Sequence, residues 1–213
     1  MESFSNGLYA LIIIIIFLIL EKKRAKKNQE KLLKSNDLIK TEFIEKPIII
    51  DDNIIDNYEL DEIFKPMYNL IDMNLNDYSY YYSKKNFTKQ QVYANAISCY
   101  LYEVENGGHY QFYYNSAGLL WEDASNGFIE LDLSEISDII LESVKRFRGH
   151  PSTDILKRRD QLIYFKINFE DLDTRLYKIE EEFDIEGIML DFVRNNRQYF
   201  YFDGKYKIPY NKN

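Results

Sequence analysis

The chain has 213 residues, 35 of them acidic and 27 basic, for a formal charge of −8. That length leaves room for one domain with an appendage, and a single cysteine excludes an intrachain disulfide. The charge is unevenly spread: the first 40 residues hold four acidic and eight basic residues, leaving 31 acidic against 19 basic from residue 41 onward. So acidic a body disfavours direct binding to nucleic acid, because contacts to phosphate demand net positive charge.

In chain order, residues 7–20 form an uncharged run of 14 residues with five consecutive isoleucines, extendable to 17 by starting at Phe4. At the helical rise such a run spans roughly 21 to 26 Å, against a hydrocarbon core of about 30 Å. Bilayer thinning and snorkelling of Lys22 and Lys23 can close that gap. A cleaved signal peptide would carry a basic start and a small-residue cleavage site. Here Met1-Glu2-Ser3 precede the run and Glu21-Lys22-Lys23-Arg24 follow it. Residues 1–20 are therefore expected to form an N-terminal transmembrane anchor helix. The flanking positive charge all lies C-terminal to the run, which predicts a single-pass membrane protein with the N-terminus outside and the body cytoplasmic. Residues 21–55 read as a basic juxtamembrane stalk and linker, with a short extended piece within residues 37–50.

Residues 56–213 are expected to form an acidic, all-α domain of about six or seven helices. Leu60, Ile63, Phe64, Met67 and Ile71 recur at helical spacing, with Pro66 as a point where that helix kinks or restarts. Thr88-x-x-Gln91 is a capping-box pattern. It opens a helix presenting Val92, Ala96, Cys99 and Tyr100 that stops at Asn106-Gly107-Gly108. Asp132 or Ser134 can cap a helix carrying Ile136, Ile139, Ile140, Val144 and Phe147, which ends before Gly149 and Pro151. Leu172, Leu176, Ile179 and Phe183 mark another helical face, and Ile185, Ile188, Met189 and Phe192 the last. Residues 200–206 read as a small hairpin tail turning at Asp203-Gly204.

Signals for chemistry are few. His109 and His150 have no partner at metal-ligand spacing and read as turn and loop residues. Nucleophile elbows, phosphate-binding glycine loops and dinucleotide fingerprints are absent from the sequence. These observations predict no enzyme, no metal, no cofactor and no small-molecule substrate. Cys99 falls in an apolar pattern and reads as a small buried hydrophobe. Two acidic stretches stand out: Glu180, Glu181, Glu182, Asp184 and Glu186, and a second that begins at Asp51 and Asp52. Each is either a solvated face or a surface for a basic partner.

The densest pattern lies at residues 106–118: Asn106-Gly107-Gly108, then Gln111, Phe112, Asn115 and Gly118. Helical spacing puts the Gln111 and Asn115 amides on one face. The glycines permit a chain reversal, and the amides can tie loose backbone groups there. The other use of these residues is a partner groove formed with Tyr110, Tyr113 and Trp121. With Pro151 followed by Arg158 or Arg159, and with 172–177, 183–193 and Phe200, this pattern resembles the DNA-mimic protein family over roughly residues 57–200. That family is also catalogued as a domain of unknown function. The resemblance implies an all-helical fold and a non-enzymatic role, in which surface carboxylates imitate DNA phosphates and occupy a basic protein, among them DNA-binding proteins. The alternative is an immunity-like or scaffold protein that binds a specific partner through aromatic residues such as Tyr80, Tyr81 and Trp121.

Overall fold

The computed structural model describes residues 43–72 and 77–209. Residues 45–206 form one compact unit, and the described residues 43–44 and 207–209 belong to a second. The elements are β1 (Phe43–Ile50), α1 (Asp52–Asn57), α2 (Leu60–Leu70), α3 (Asp77–Ser83), α4 (Lys89–Tyr114), α5 (Trp121–Glu130), α6 (Ser134–Lys145), α7 (Ile155–Tyr164), α8 (Glu170–Glu182), α9 (Ile185–Asn195) and β2 (Phe202–Pro209). Short 3₁₀ turns follow α3, α4 and α9.

The helices begin where the sequence supplies caps. Asp51 accepts from the Ile54 amide to start α1, and Asp154 from the Leu156 and Lys157 amides to start α7. Thr88 and Gln91 form a reciprocal capping box at the start of α4. The Thr88 hydroxyl also donates to the Tyr199 carbonyl at 2.8 Å, tying that helix start to the turn after α9. Pro66 is carried inside α2 without ending it. Neither Asp132 nor Ser134 caps α6: Leu133 holds the cap position without a side-chain bond, and Asp132 sits at φ 59°.

α4 lies at the centre and packs most extensively on α5, with α2, α7 and α8 around it. Aromatic side chains fill the core. Tyr100 meets Phe112 and Phe128 edge-on at 5.1 and 5.7 Å, and Tyr113 meets Phe147 at 4.8 Å. Ile136, Ile139, Ile140, Val144 and Phe147 line the buried side of α6 and its exit, as their spacing requires.

The all-α, membrane-anchored expectation is corrected in two respects. First, β1 and β2 pair into a two-stranded sheet. The tail at residues 202–209 does not turn back on itself at Gly204. It runs as a strand whose partner lies some 150 residues earlier in the sequence, a pairing that no local turn signal announces. In this sheet Ile48 and Ile50 are buried while Ile49 is exposed, the period-two alternation of a half-covered strand. Nine α-helices are present among the described residues, more than the six or seven foreseen. Second, no helix among the described residues is long and apolar enough to cross a membrane. The longest, α4, is broken at its glycines and carries Glu103 and Glu105, and its apolar side chains are spent on the core. A single-pass membrane protein with an outside N-terminus and a cytoplasmic body is therefore not supported. The apolar run of residues 7–20 on which that expectation rested lies outside the described residues.

Candidate functional site

The 106–118 motif forms a break inside α4. Gly107 (φ −172°, ψ 26°) and Gly108 (φ 71°, ψ −179°) leave the helical region, and the chain resumes helix at once. Gly108 has two reasons to lack a side chain. Its positive φ suits glycine, and a Cβ there would stand 2.5 Å from Asp173 Oδ2. A Cβ at Gly107 would collide with the Gln111 side chain. Asn106 Nδ2 donates back to the Tyr102 carbonyl at 2.6 Å and closes the first arm of the helix. Beyond the break, Gln111 Nε2 and Asn115 Nδ2 both donate to Glu103 Oε2, at 2.9 and 2.8 Å. The two amides clamp one carboxylate across the break.

Two further residues secure the same region. Asp173 of α8 accepts both the backbone N–H of His109, at 2.8 Å, and its ring Nδ1–H, at 2.5 Å. With Nδ1 donating, Nε2 accepts from the Tyr100 hydroxyl at 2.7 Å. His109 is thus no turn residue at the surface: it has no exposure, and its ring lies 5.7 Å from that of Phe169, tilted by 31°. A Tyr–His–Asp chain can resemble a proton relay. Here Tyr100 and His109 are both fully enclosed, so neither can meet a substrate. Arg158 of α7 is the largest fully buried side chain. Its Nε donates to the Tyr113 carbonyl at 2.8 Å and its Nη2 to that of Asn115 at 2.8 Å, while Nη1 reaches the Ser152 carbonyl at 2.6 Å. It therefore caps the C-terminus of α4, where carbonyls lack helical partners and the helix dipole favours a cation. Gly118 makes room for it: a Cβ there would lie 2.8 Å from Arg158 Nε. Phe112 is wholly buried in the aromatic core.

Beside the break lies a groove of about 1080 Å³, walled by α2, α4, the turn after α4, and the junction of α8 with α9. Asp61, Glu103, Glu105, Glu180, Asp184 and Glu186 bring six carboxylates to it, and among the described residues no Lys, Arg or His lines it. Leu60, Leu101, Phe183, Ile185 and Met189 supply apolar surface between them. Glu180 is the least ordinary of the acids. Its Oε1 is buried and meets no hydrogen-bond donor among the described residues. Burial, with the Glu105 carboxylate as a second cause, pushes its pKa up to about 7. Cys99 also lines the groove, where burial and then Glu103 push its thiol up to about 12, away from thiolate reactivity.

The structure brings only part of the acidic candidate set together. Glu180, Asp184 and Glu186 share the groove, and Asp184 also caps α9 through the Gly187 amide at 2.9 Å. Glu181 and Glu182 are exposed and outside its lining. Asp51 is spent as a cap. Asp52 is held by Arg197 at 2.8 Å and the Tyr201 hydroxyl at 2.6 Å, and those bonds lower its pKa. The alternative use of the motif, a partner groove of its amides with Tyr110, Tyr113 and Trp121, has Tyr113 enclosed and Trp121 stacked on His150. Asp61 belongs to the second acidic stretch of the sequence, whereas Glu103, Glu105, Asp173 and the burial of Arg158 are not picked out as site residues there. Glu103 and Glu105 directly precede the motif, and their nearness to it was the available signal.

Comparison with known proteins places this region in context. Neither the curated proteins nor the solved structures compared gave a match. A family model described as DMP19-like protein matches residues 85–196, from the turn before α4 to the end of α9. That span holds the helix break, Arg158, Asp173 and most of the groove, and it exceeds half of the chain; the chain therefore belongs to the DMP19-like protein family.

Proposed function

We propose that this protein is a non-enzymatic interaction module of the DNA-mimic type, which occupies a basic protein partner, a DNA-binding protein foremost, through its carboxylates. The observation that carries this reading is the groove with six carboxylates and, among the described residues, no basic side chain in its lining. Such a surface attracts cationic partners, and its low-dielectric walls focus the field. Membership of the DMP19-like family supports the same role. The test is binding of the full chain to a panel of purified helix-turn-helix DNA-binding domains. Expected are complexes that duplex DNA displaces and that weaken steeply from about 50 to about 200 mM salt. Binding indifferent to both salt and DNA would refute the reading.

A second reading rests on a different surface. Tyr114 stacks on Tyr110, Arg159 lies over the Tyr114 ring at 4.1 Å, and Ile163 one turn further along α7 is 65% exposed. This favours a salt-tolerant partner held by aromatic contacts. Of the residues first considered for that role, Tyr80 is unsuited to it, since it is buried and donates to Asp123 at 2.5 Å.

A further inference from the structure

We infer that the groove seats one amphipathic, basic helix of the partner, with a single Lys or Arg side chain of that helix placed on Glu180 between α4 and α8. This rests on the interaction reading above and goes beyond it by naming the surface, the anchoring residue and the kind of segment bound.

Three observations lead there. The groove is amphiphilic: its lining holds Leu60, Leu101, Phe183, Ile185 and Met189 as well as the carboxylates. A uniformly charged strand of nucleic-acid-binding loop would leave that apolar surface uncovered, whereas a helix with apolar anchors at i, i+3, i+4 and i+7 and lysines or arginines beside them covers both. Its volume, about 1080 Å³, lies at or beyond the upper end for small-molecule sites, which run to roughly 1,000 Å³. Lastly, Glu180 Oε1 is a buried acceptor with no donor among the described residues. Burying such an atom unpaired is unfavourable, and a cationic N–H would satisfy it with a charge-assisted bond.

The neighbours of Glu180 set the sign of a proton linkage. The titratable groups that share the groove are Asp61 and Tyr68 of α2, Cys99, Tyr102, Glu103 and Glu105 of α4, and Asp184 and Glu186 at the start of α9. None can bear a positive charge. A cation docking on Glu180 therefore displaces its proton, and binding tightens as pH rises through neutrality.

The probe is a Leu/Lys amphipathic helical peptide about 18 residues long, titrated against the full chain by fluorescence anisotropy at about pH 6 and about pH 8. Wild type is expected to bind about tenfold more tightly at the higher pH, because the competent, ionised fraction rises by about that factor. Glu180→Gln is expected to bind weakly at both, with a flat profile. Glu181→Gln, which removes an equal charge from the same helix outside the groove, is expected to keep the wild-type profile. A circular-dichroism melt of each variant checks that it is folded. If Glu180→Gln keeps the pH profile while the chain still binds DNA-binding domains in a salt-sensitive way, the groove inference falls and the interaction reading stands. If those domains bind but the peptide does not, the inference falls alone. If neither binds, both fall.

Discussion

One oxygen of Asp173 holds His109 twice, accepting its backbone N–H at 2.8 Å and its ring Nδ1–H at 2.5 Å across 64 residues of sequence. The helix break at Gly107-Gly108 leaves the His109 amide without a helical acceptor, and α8 supplies one. The absent Cβ of Gly108 is what lets the carboxylate approach. Local backbone freedom and tertiary packing are thus one device.

Asp173→Ala should destabilise the fold by about 2 to 4 kcal/mol, because it strands a buried amide and an imidazole N–H. Gly108→Val should cost a similar amount, since it combines a β-branched residue at positive φ with a collision against the same carboxylate. Urea denaturation of each variant measures this, and a midpoint equal to wild type for both would refute it. The double variant should lose less than the sum, because both act on one contact.

Arg158→Met should be more damaging than any surface arginine substitution. It leaves the Tyr113 and Asn115 carbonyls at the end of α4 without their buried donor. A loss of about 3 kcal/mol or more is expected. Arg197→Met, which breaks exposed pairs to Asp52 and Asp56, should cost much less, because solvent screens those pairs. Thermal melts of the two variants side by side decide it; equal losses would contradict the assignment of Arg158 as the helix cap.

Gln111→Glu should destabilise the break, because it faces a second carboxylate toward Glu103 Oε2 in place of the amide donor. Adding Glu103→Gln to that variant should recover part of the loss by restoring a donor–acceptor pair, with a coupling of about 0.5 to 3 kcal/mol. A double-mutant cycle that closes to zero would show that the amide clamp contributes nothing.

How far the sequence reached depends on the kind of signal each element carries. Capping box and apolar period were both local at Thr88–Gln91 and along Ile136–Phe147, and there the reading matched the structure. Asn106-Gly107-Gly108 was legible as an end of helix, and the backbone does leave helical geometry there. The second run, where Gln111 and Asn115 stand at helical spacing, does resume helix; what was not legible is its anchor, because Asp173, which accepts the His109 amide, is distant in sequence. α5 and α7 were missed because each buries a single large apolar side chain, Phe128 beside Ala124, Ser125 and Gly127 in one and Leu162 beside Arg158 in the other, so no apolar period marks them. The β1–β2 pairing was hidden by its sequence separation. For the groove, Glu180, Asp184 and Glu186 were visible as a charge run, but nothing in a run tells which carboxylate turns inward. Only packing of α4 against the α8–α9 junction shows that Glu180 does.

That inward turn gives a pH-dependent stability that can be read without any partner. The Glu180 pKa is raised in the folded state to about 7 from an ordinary value of 4.5, chiefly by burial and then by Glu105. A carboxyl with a raised folded pKa binds more protons folded than unfolded between those values, so stability falls as pH rises through that window, and the loss is complete above about pH 7. Because the side chain is only partly enclosed, solvent screening reduces the full linkage value, and about 1 kcal/mol is expected. Glu180→Gln removes the ionisable group while keeping its shape. It should therefore leave stability nearly unchanged near pH 4.5 and raise it by about 1 kcal/mol near pH 8. Glu181→Gln, exposed on the next position of α8, should leave stability nearly unchanged at both. Denaturation midpoints of the three proteins across that pH range measure the effect. A Glu180→Gln variant no more stable than wild type at the alkaline end would mean that Glu180 is ionised there at no cost, and that the floor of the groove is as wet as its rim.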